Sequence, residues 1–356
     1  MNTDQFTVFT EGDKLYEDML ASIRLAESSI AMESYIFEPD NIGHLFIDAL
    51  VERARAGIYV RLHLDAFGSV SLAASDEAER MAAAGIELKW FNPWRWYKPH
   101  RFNRRNHRKL LVIDGRTAWL GGFNIHRENS LREYGQDRWL DIQVRIDGPI
   151  AEQVQVYFDR LWLGRRDWSP SFDVQAASML VSNHNWLQRR QLRRMLALKF
   201  YQARKHIWLC TPYFMPDSFL QRQMIKAARR GIDVRLLLPY KTDRPVTQWV
   251  ARAEYTSLMA AGIRIYEYEP RFIHAKMMII DSDWCSVGSA NLDYRSFFVN
   301  YEINLVSTRE DLVKCLQGIF SEDLKLSRAM DPRRWAERGG LWWFYQAAGW
   351  VLRRIL

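Results

Sequence analysis

Two short runs in this 356-residue sequence repeat one spacing of histidine, lysine and aspartate. HRKLLVID holds His107, Lys109 and Asp114, and HAKMMIID holds His274, Lys276 and Asp281. On an extended segment, residues two apart point to the same side, so each histidine should share a face with its lysine. An imidazole supplies a nucleophile or proton carrier near neutral pH, and the neighbouring ammonium supplies fixed positive charge. The pair suits attack on a phosphodiester, whose oxygens gather negative charge while a proton moves. A lone histidine at a strand edge is ordinarily structural, and an aspartate before glycine is ordinarily a turn residue. Recurrence of the whole set at matching positions removes that account.

More polar groups follow each run. GGFN places Asn124, and GSAN places Ser289 and Asn291, just past turns whose glycines allow close backbone approach, so these side chains are candidate donors to phosphate oxygens. Asp141 in WLDIQVRIDGP and Glu302 in NYEINL each fall on a predicted strand. Each is read as accepting from the second nitrogen of the imidazole in its own half, which would fix tautomer and orientation. Two histidines and two carboxylates could also ligate zinc. A lysine between the ligands is electrostatically wrong for that, and HxxxH and HExxH spacings are absent, so no metal and no cofactor are expected.

The elements that position these residues occur twice. SIAMESYIF (Ser29 to Phe37) reads as a strand, Asn41 to Ala56 as a helix closed by Gly57, and IYVRLHLD as a second strand. HIWLCTPYF (His206 to Phe214), a helix from about Asp217 to Arg230, Gly231 and IDVRLLLP repeat the order. Matched positions stand 174 (Gly57 and Gly231), 177 (Gly85 and Gly262) and 167 (His107 and His274) apart, which is a duplication with small insertions. Apolar strands alternating with amphipathic helices predict an α/β fold with a largely parallel sheet covered on both faces. Residues 1–170 are read as one repeat, 171–328 as the second and 329–356 as an amphipathic membrane-associating segment. The boundary falls where RRDWSPSFDVQAAS breaks the apolar periodicity.

With these residues in view, the sequence resembles the phospholipase D superfamily, whose HKD motif is HxKxxxxD, and within it bacterial cardiolipin synthases of the short form without N-terminal transmembrane helices. ESYIF, HRKLLVID, GGFN, TPYFMPD, HAKMMIID, GSANLDYRS and NYEINL carry the likeness over about residues 5 to 326. Gly122 departs from it, standing where Ser289 stands in the second motif. The resemblance implies a duplicated phospholipase D fold, with two mixed, mostly parallel sheets flanked by helices and one active site at a pseudo-twofold interface. It implies a phosphatidyltransferase making cardiolipin through a phosphatidyl-histidine, with His107 as nucleophile and His274 as acid and base. A phospholipase D-type hydrolase or a nuclease is the alternative. Lys109, Lys276, Asn124, Asn291 and Ser289 would hold the phosphate, while Asp114 and Asp281 complete the motifs.

Composition agrees with an anionic substrate. Fifty Lys and Arg against 42 Asp and Glu give a net charge of +8, and only 11 of the cations are lysine, so most are arginine forks suited to phosphate. Cys210, Cys285 and Cys315 lie singly, which excludes a disulfide framework and a zinc ribbon. No basic and apolar leader opens the sequence, and no run reaches about 18 apolar residues, the length of an ordinary membrane span. KWFNPWRWYKPHRFNRR, just before His107, holds no acid and reads as an interfacial loop for anionic head groups. LWWFYQAAGWVL, from Leu341 to Leu352, would extend only about 18 Å as a helix and is read as lying on a membrane. The expected partners are anionic phospholipids and a membrane surface, not nucleic acid. The expected place is peripheral, on the cytoplasmic face of a bacterial inner membrane. Nothing in the sequence assigns an oligomeric state.

Overall fold

The computed structural model describes residues 4–97, 102–165 and 176–337. Seven strands form the first sheet: β1 (Gln5–Phe9), β2 (Ser29–Ser34), β3 (Tyr59–Asp65), β4 (Glu87–Phe91), β5 (Leu110–Ile113), β6 (Thr117–Gly121) and β7 (Gln143–Asp147). Their spatial order is β1-β7-β6-β5-β2-β3-β4. The second half supplies β8 (Ser178–Ser182), β9 (His206–Cys210), β10 (Phe214–Met215), β11 (Asp233–Pro239), β12 (Arg264–Tyr268), β13 (Met277–Ile280), β14 (Trp284–Gly288), β15 (Leu292–Asp293), β16 (Ile303–Ser307) and β17 (Ser327–Ala329). Eight of these form a sheet ordered β17-β12-β11-β9-β13-β14-β16-β8, and β10 pairs with β15 apart from it. Read from β4 to β1 and from β12 to β8, the two large sheets have one topology, and β17 is an added edge.

The expectation of mostly parallel sheets is corrected by the pairing. Only β2-β3-β4 and β9-β11-β12 run parallel, each crossing over through a helix, and every other neighbour in the two large sheets is antiparallel. The cause is local. The strand of each HxKxxxxD run turns back at its aspartate into the next strand, and a tight turn joins only antiparallel strands. Asp114 and Asp281 sit in those turns with φ of 54° and 52°.

Alternation along β5 and β13 divides the core. Leu111 and Ile113 face the helices Gly12–Arg24 and Asn41–Arg55, and Met278 and Ile280 face the helical layer of the second repeat. Leu110, Val112, Met277 and Ile279 join a third cluster drawn from both repeats, with the helices Pro149–Trp162 and Glu310–Lys325 contributing to it. LLVI and MMII are unbroken apolar runs because both faces of their sheets are covered. The shared cluster fixes one repeat against the other, so groups at the sheet ends are held across the interface.

The boundary expected at 170/171 and the apolar run Leu341–Leu352 lie outside the described residues. The start of the segment expected to associate with a membrane packs on the second repeat. β17 pairs with β12, and Trp335, in the helix Pro332–Ala336, is buried with its ring 4.9 Å from Tyr255. No helix among the described residues is long and apolar enough to cross a membrane.

Candidate active site

Two cross-repeat bridges build the site. Asn106 pairs with Tyr301, and the His107 N–H donates to the Tyr301 carbonyl at 2.9 Å. Leu140 pairs with Ile273, and the His274 N–H donates to the Leu140 carbonyl at 2.6 Å. Each bridge sets a histidine of one repeat beside the carboxylate that follows in the other. His107 Nδ1 lies 3.1 Å from Glu302 Oε2, and His274 Nδ1 lies 2.5 Å from Asp141 Oδ2. Pairing within each half, expected from the sequence, is therefore corrected: the carboxylates are exchanged between repeats. Both acids also sit just before their strands, β16 and β7, rather than on them.

A carboxylate accepts and does not donate, so each Nδ1 carries the proton, and Nε2 is the atom left for chemistry. Lys276 Nζ also approaches His274 Nδ1, at 2.7 Å, but that nitrogen has already donated to Asp141. The lysine's own bonds run to the His274 carbonyl and to Asp141 Oδ2, the latter at 3.5 Å. Lys109 Nζ donates to the His107 carbonyl at 2.8 Å. Glu302 is held in turn by the Ser296 hydroxyl at 2.9 Å, and its N–H donates to Asn183 Oδ1 at 2.7 Å.

All six of these groups are buried, and burial sets their titration. Burial pushes the His107 imidazole down to about 4 despite Glu302, with Lys109 and Lys276 adding to the fall. It pushes His274 down to about 3, with Lys276 again against it and Asp141 opposing. Lys109 is lowered well below an ordinary lysine by burial and by Lys276, and Lys276 is lowered by burial against the pull of Asp141. Burial would raise Asp141 and Glu302, but Lys276 with His274 outweighs it at the first, and His107 with Lys109 at the second. Both imidazoles are thus neutral near pH 7.

His107 and His274 line a single cleft of about 330 Å³, together with Asn124 and Asn291. Asn124 Oδ1 accepts from the Ile36 N–H at 3.1 Å, which leaves its amide NH2 for the cavity. Asn291 is buried with Oδ1 unpartnered. Ser289 does not line the cleft. Its hydroxyl accepts from the Ile303 N–H at 3.0 Å and donates to the Ile303 carbonyl at 3.3 Å, so it steadies the residue after Glu302. The hydroxyl expected to bind phosphate is thus engaged with the Ile303 backbone. Gly122 matches it because a Cβ there would lie 2.0 Å from Asp141 Oδ1, where the carboxylate itself stands.

Asp114 and Asp281, expected to complete the motifs, sit at the far ends of β5 and β13. Asp114 accepts from the N–H groups of Glu27, Ser28 and Ser29 and from the Ser28 hydroxyl, at 2.7 to 3.0 Å. Asp281 accepts from Arg204, Lys205 and His206 at 2.7 to 3.0 Å. Each ties the hairpin turn to the start of the neighbouring strand, β2 or β9, and its lone pairs are spent there.

Aromatic walls complete the cleft and were not singled out from the sequence. Tyr35 meets the His107 ring edge-on at 5.1 Å, and Trp139 lies 5.2 Å from the His274 ring. Tyr213 is 6.3 Å from His274, with its hydroxyl on Asp243. Arg244 and Arg295 also face the cavity. The nearest signals were ESYIF and TPYF, which mark the strand ends without saying which side chain turns inward.

The family model described as "Cardiolipin synthase, PLD-like domain" matches residues 19–162 and 197–324. The probable cardiolipin synthase YwiE of Bacillus subtilis is 32% identical over 347 residues, covering 93% of this chain and 68% of the relative. A cardiolipin synthase of Clostridium perfringens is 33% identical over 335 residues, covering 90% of this chain and 70% of the relative. The chain thus spans about two thirds of the length of these relatives. Among solved structures, phosphatidylserine synthase of Haemophilus influenzae superposes with a TM-score of 0.72 over 99% of this chain and 93% of that one, at 12% identity, a likeness of fold.

Proposed function

Because the chain belongs to the phospholipase D-like family of cardiolipin synthases, we propose that its cleft transfers a phosphatidyl group from one phosphatidylglycerol to the terminal hydroxyl of a second. The products are cardiolipin and glycerol. The observation that carries this reading is the convergence of His107 and His274 on one cleft, each held through Nδ1 by a carboxylate of the other repeat.

Nε2 of His107 attacks phosphorus. The phosphorus–oxygen bond to glycerol breaks, and protonated His274 gives its Nε2 proton to the leaving oxygen. His274, now neutral, takes the proton from the incoming hydroxyl, whose oxygen attacks phosphorus as the phosphorus–nitrogen bond breaks. Lys109, Lys276 and the amides of Asn124 and Asn291 stabilise the oxygens on which charge gathers. Binding a monoanionic phosphodiester in a buried site favours protonation, and this supplies the imidazolium that the step requires.

The substrates are phospholipids, and the surface that meets the membrane is assigned to the loop after β4. Trp94, Trp96 and Tyr97 are exposed there beside Arg95, a pattern suited to head-group depth. The segment 338–356 is proposed to join it, and the cytoplasmic face of a bacterial inner membrane is the proposed place. Replacing Trp94 and Trp96 by serine should weaken sedimentation with anionic vesicles; undiminished sedimentation would move the contact elsewhere.

The test of function is phosphatidylglycerol labelled in its head group, in the presence of EDTA, with phosphatidylethanolamine and a DNA oligomer in parallel. Cardiolipin and glycerol in equal amounts support the reading. Phosphatidate without cardiolipin, or cleavage of the oligomer, would replace it by a hydrolase or a nuclease.

A further inference from the structure

The two histidines reach the cleft on supports of different kinds. Phe91 ends β4 and His107 lies sixteen positions on, whereas Tyr268 ends β12 and His274 lies six positions on. The first histidine therefore follows a loop ten residues longer, which includes the exposed Trp94 and Trp96. Such slack would ordinarily leave the residue after it loosely placed.

The structure removes the slack with two buried carboxylates. Glu33, on β2, accepts from Arg108 Nε at 2.8 Å and Nη2 at 2.5 Å, and from Asn106 Nδ2 at 2.9 Å. Asp65, at the end of β3, accepts from Arg105 Nη1 at 3.2 Å and from the Asn106 N–H at 2.8 Å. Arg105 also reaches back to the Asn92 carbonyl, at the start of the loop, at 3.0 Å. Residues 105, 106 and 108 are thus all anchored, and His107 lies among them.

The second repeat supplies the comparison. Glu33 pairs with Leu110 in the sheet as Cys210 pairs with Met277, so Cys210 occupies the place of Glu33. Asp65 pairs with Phe91 as Pro239 pairs with Tyr268. Counting from the histidines, Phe272, Ile273 and Ala275 take the places of Arg105, Asn106 and Arg108. All five counterparts are apolar and buried, and the strap they form has the short loop. A buried ion pair is commonly no more stabilising than apolar residues of like volume, as the second repeat itself illustrates, so stability alone does not explain the charged version. Its distinguishing property is direction: a bidentate guanidinium on a carboxylate fixes a backbone more narrowly than packing does.

We propose that Glu33–Arg108 and Asp65–Arg105 form a clamp that isolates His107 from the long exposed loop before it. The four are positioning residues for the catalytic imidazole. The clamp keeps the His107 ring on Glu302 while the loop is drawn toward a lipid surface, and the second motif needs none. This inference rests on the proposed function in taking His107 to be catalytic and the loop before it to meet the membrane.

The test transplants the second repeat's solution into the first, as the double variant Glu33→Cys with Arg108→Ala. Arg108→Lys, which keeps the charge and loses the fork, is made beside it. Rates are measured on a soluble short-chain phosphodiester, with thermal unfolding followed in parallel. The clamp predicts folded variants whose kcat falls about 10- to 100-fold while KM stays within about twofold, since small misplacement of a reacting group costs rate more than binding. It also predicts an altered pH profile, because the bond from His107 to Glu302 is loosened. A folded double variant with kcat within about twofold of the parent would overturn the proposal, as would Arg108→Lys with unchanged kcat. If the double variant does not fold, Arg108→Lys decides. A parent enzyme that hydrolyses the phosphodiester but makes no cardiolipin would overturn the assigned function and leave this comparison intact.

Discussion

His107 is hydrogen-bonded to Glu302, a residue 195 positions away in the other repeat, and His274 to Asp141 makes the reciprocal contact over 133 positions. Neither half therefore contains a complete site. Each contributes one imidazole and the carboxylate that orients the other half's imidazole, so the duplication yields one centre.

The first expected outcome follows from that exchange. Glu302→Gln and Asp141→Asn should each leave a folded protein whose kcat drops by about 10²- to 10⁴-fold, because the amide can present the wrong hydrogen-bonding group to Nδ1 and disturb the tautomer. Steady-state kinetics check it, and KM should change little. Losses under about threefold would make these carboxylates bystanders.

A second concerns protons. In an unfolded chain the two imidazoles titrate near about 6.5, but in the fold His107 and His274 stay neutral down to about 4 and about 3. Below pH 6.5 the unfolded chain therefore binds more protons. The stability these groups allow is intact above that pH and is lost as the pH falls toward 4 and then 3. A bound oxyanion reverses the bias. Calorimetry of tungstate binding at pH 7, in buffers of different ionisation enthalpy, should register uptake of about one proton, and binding should tighten toward pH 6. Binding heat independent of the buffer would contradict the picture.

The motif aspartates supply a third. Asp114→Ala removes the acceptor for three backbone N–H groups, and Asp281→Ala does the same in the second repeat. Each should lower stability by about 1–3 kcal/mol, while the protein that remains folded keeps most of its kcat. Denaturant unfolding and active-site titration separate the two effects. A large loss of kcat at full stability would return these residues to the chemistry.

Gly122 and Ser289 give the fourth. Gly122→Ala places a methyl group on the Asp141 carboxylate and should cost kcat about 100-fold by displacing the His274 pair. Ser289→Gly should cost about 1 kcal/mol of stability and far less rate. Comparable kinetic losses in the two variants would mean that Ser289 touches the phosphate after all.

Much of this was legible in the sequence. The duplication, the order of strands and helices, and the meeting of His107, His274, Asn124 and Asn291 at one cleft follow from matched motifs and local periodicity. Three things did not. The exchange of Asp141 and Glu302 depends on bridges at Asn106–Tyr301 and Leu140–Ile273, which exist only once the repeats are packed. The roles of Ser289 and Asp114 depend on where a side chain points, and spacing along a strand does not say which neighbour it finds. The antiparallel half of each sheet was masked by buried apolar strands, which read alike in parallel and antiparallel sheets. Glu33 and Asp65 carried a signal that went unused: each is a carboxylate within or ending a predicted buried strand, and such a group requires a partner.

The central claim is that one centre, with one nucleophile, serves the whole chain. Its most direct test is reaction of the parent protein with phosphatidylglycerol labelled in the phosphatidyl group, stopped during turnover in denaturant at mildly alkaline pH, where a phosphorus–nitrogen bond persists. One label per chain, on His107, and none in His107→Ala is the predicted result. The double variant should be no slower than either single one, because the two histidines act as a unit. Labelling of both histidines to two per chain, or a double variant far slower than either single one, would mean two independent sites and would contradict the account.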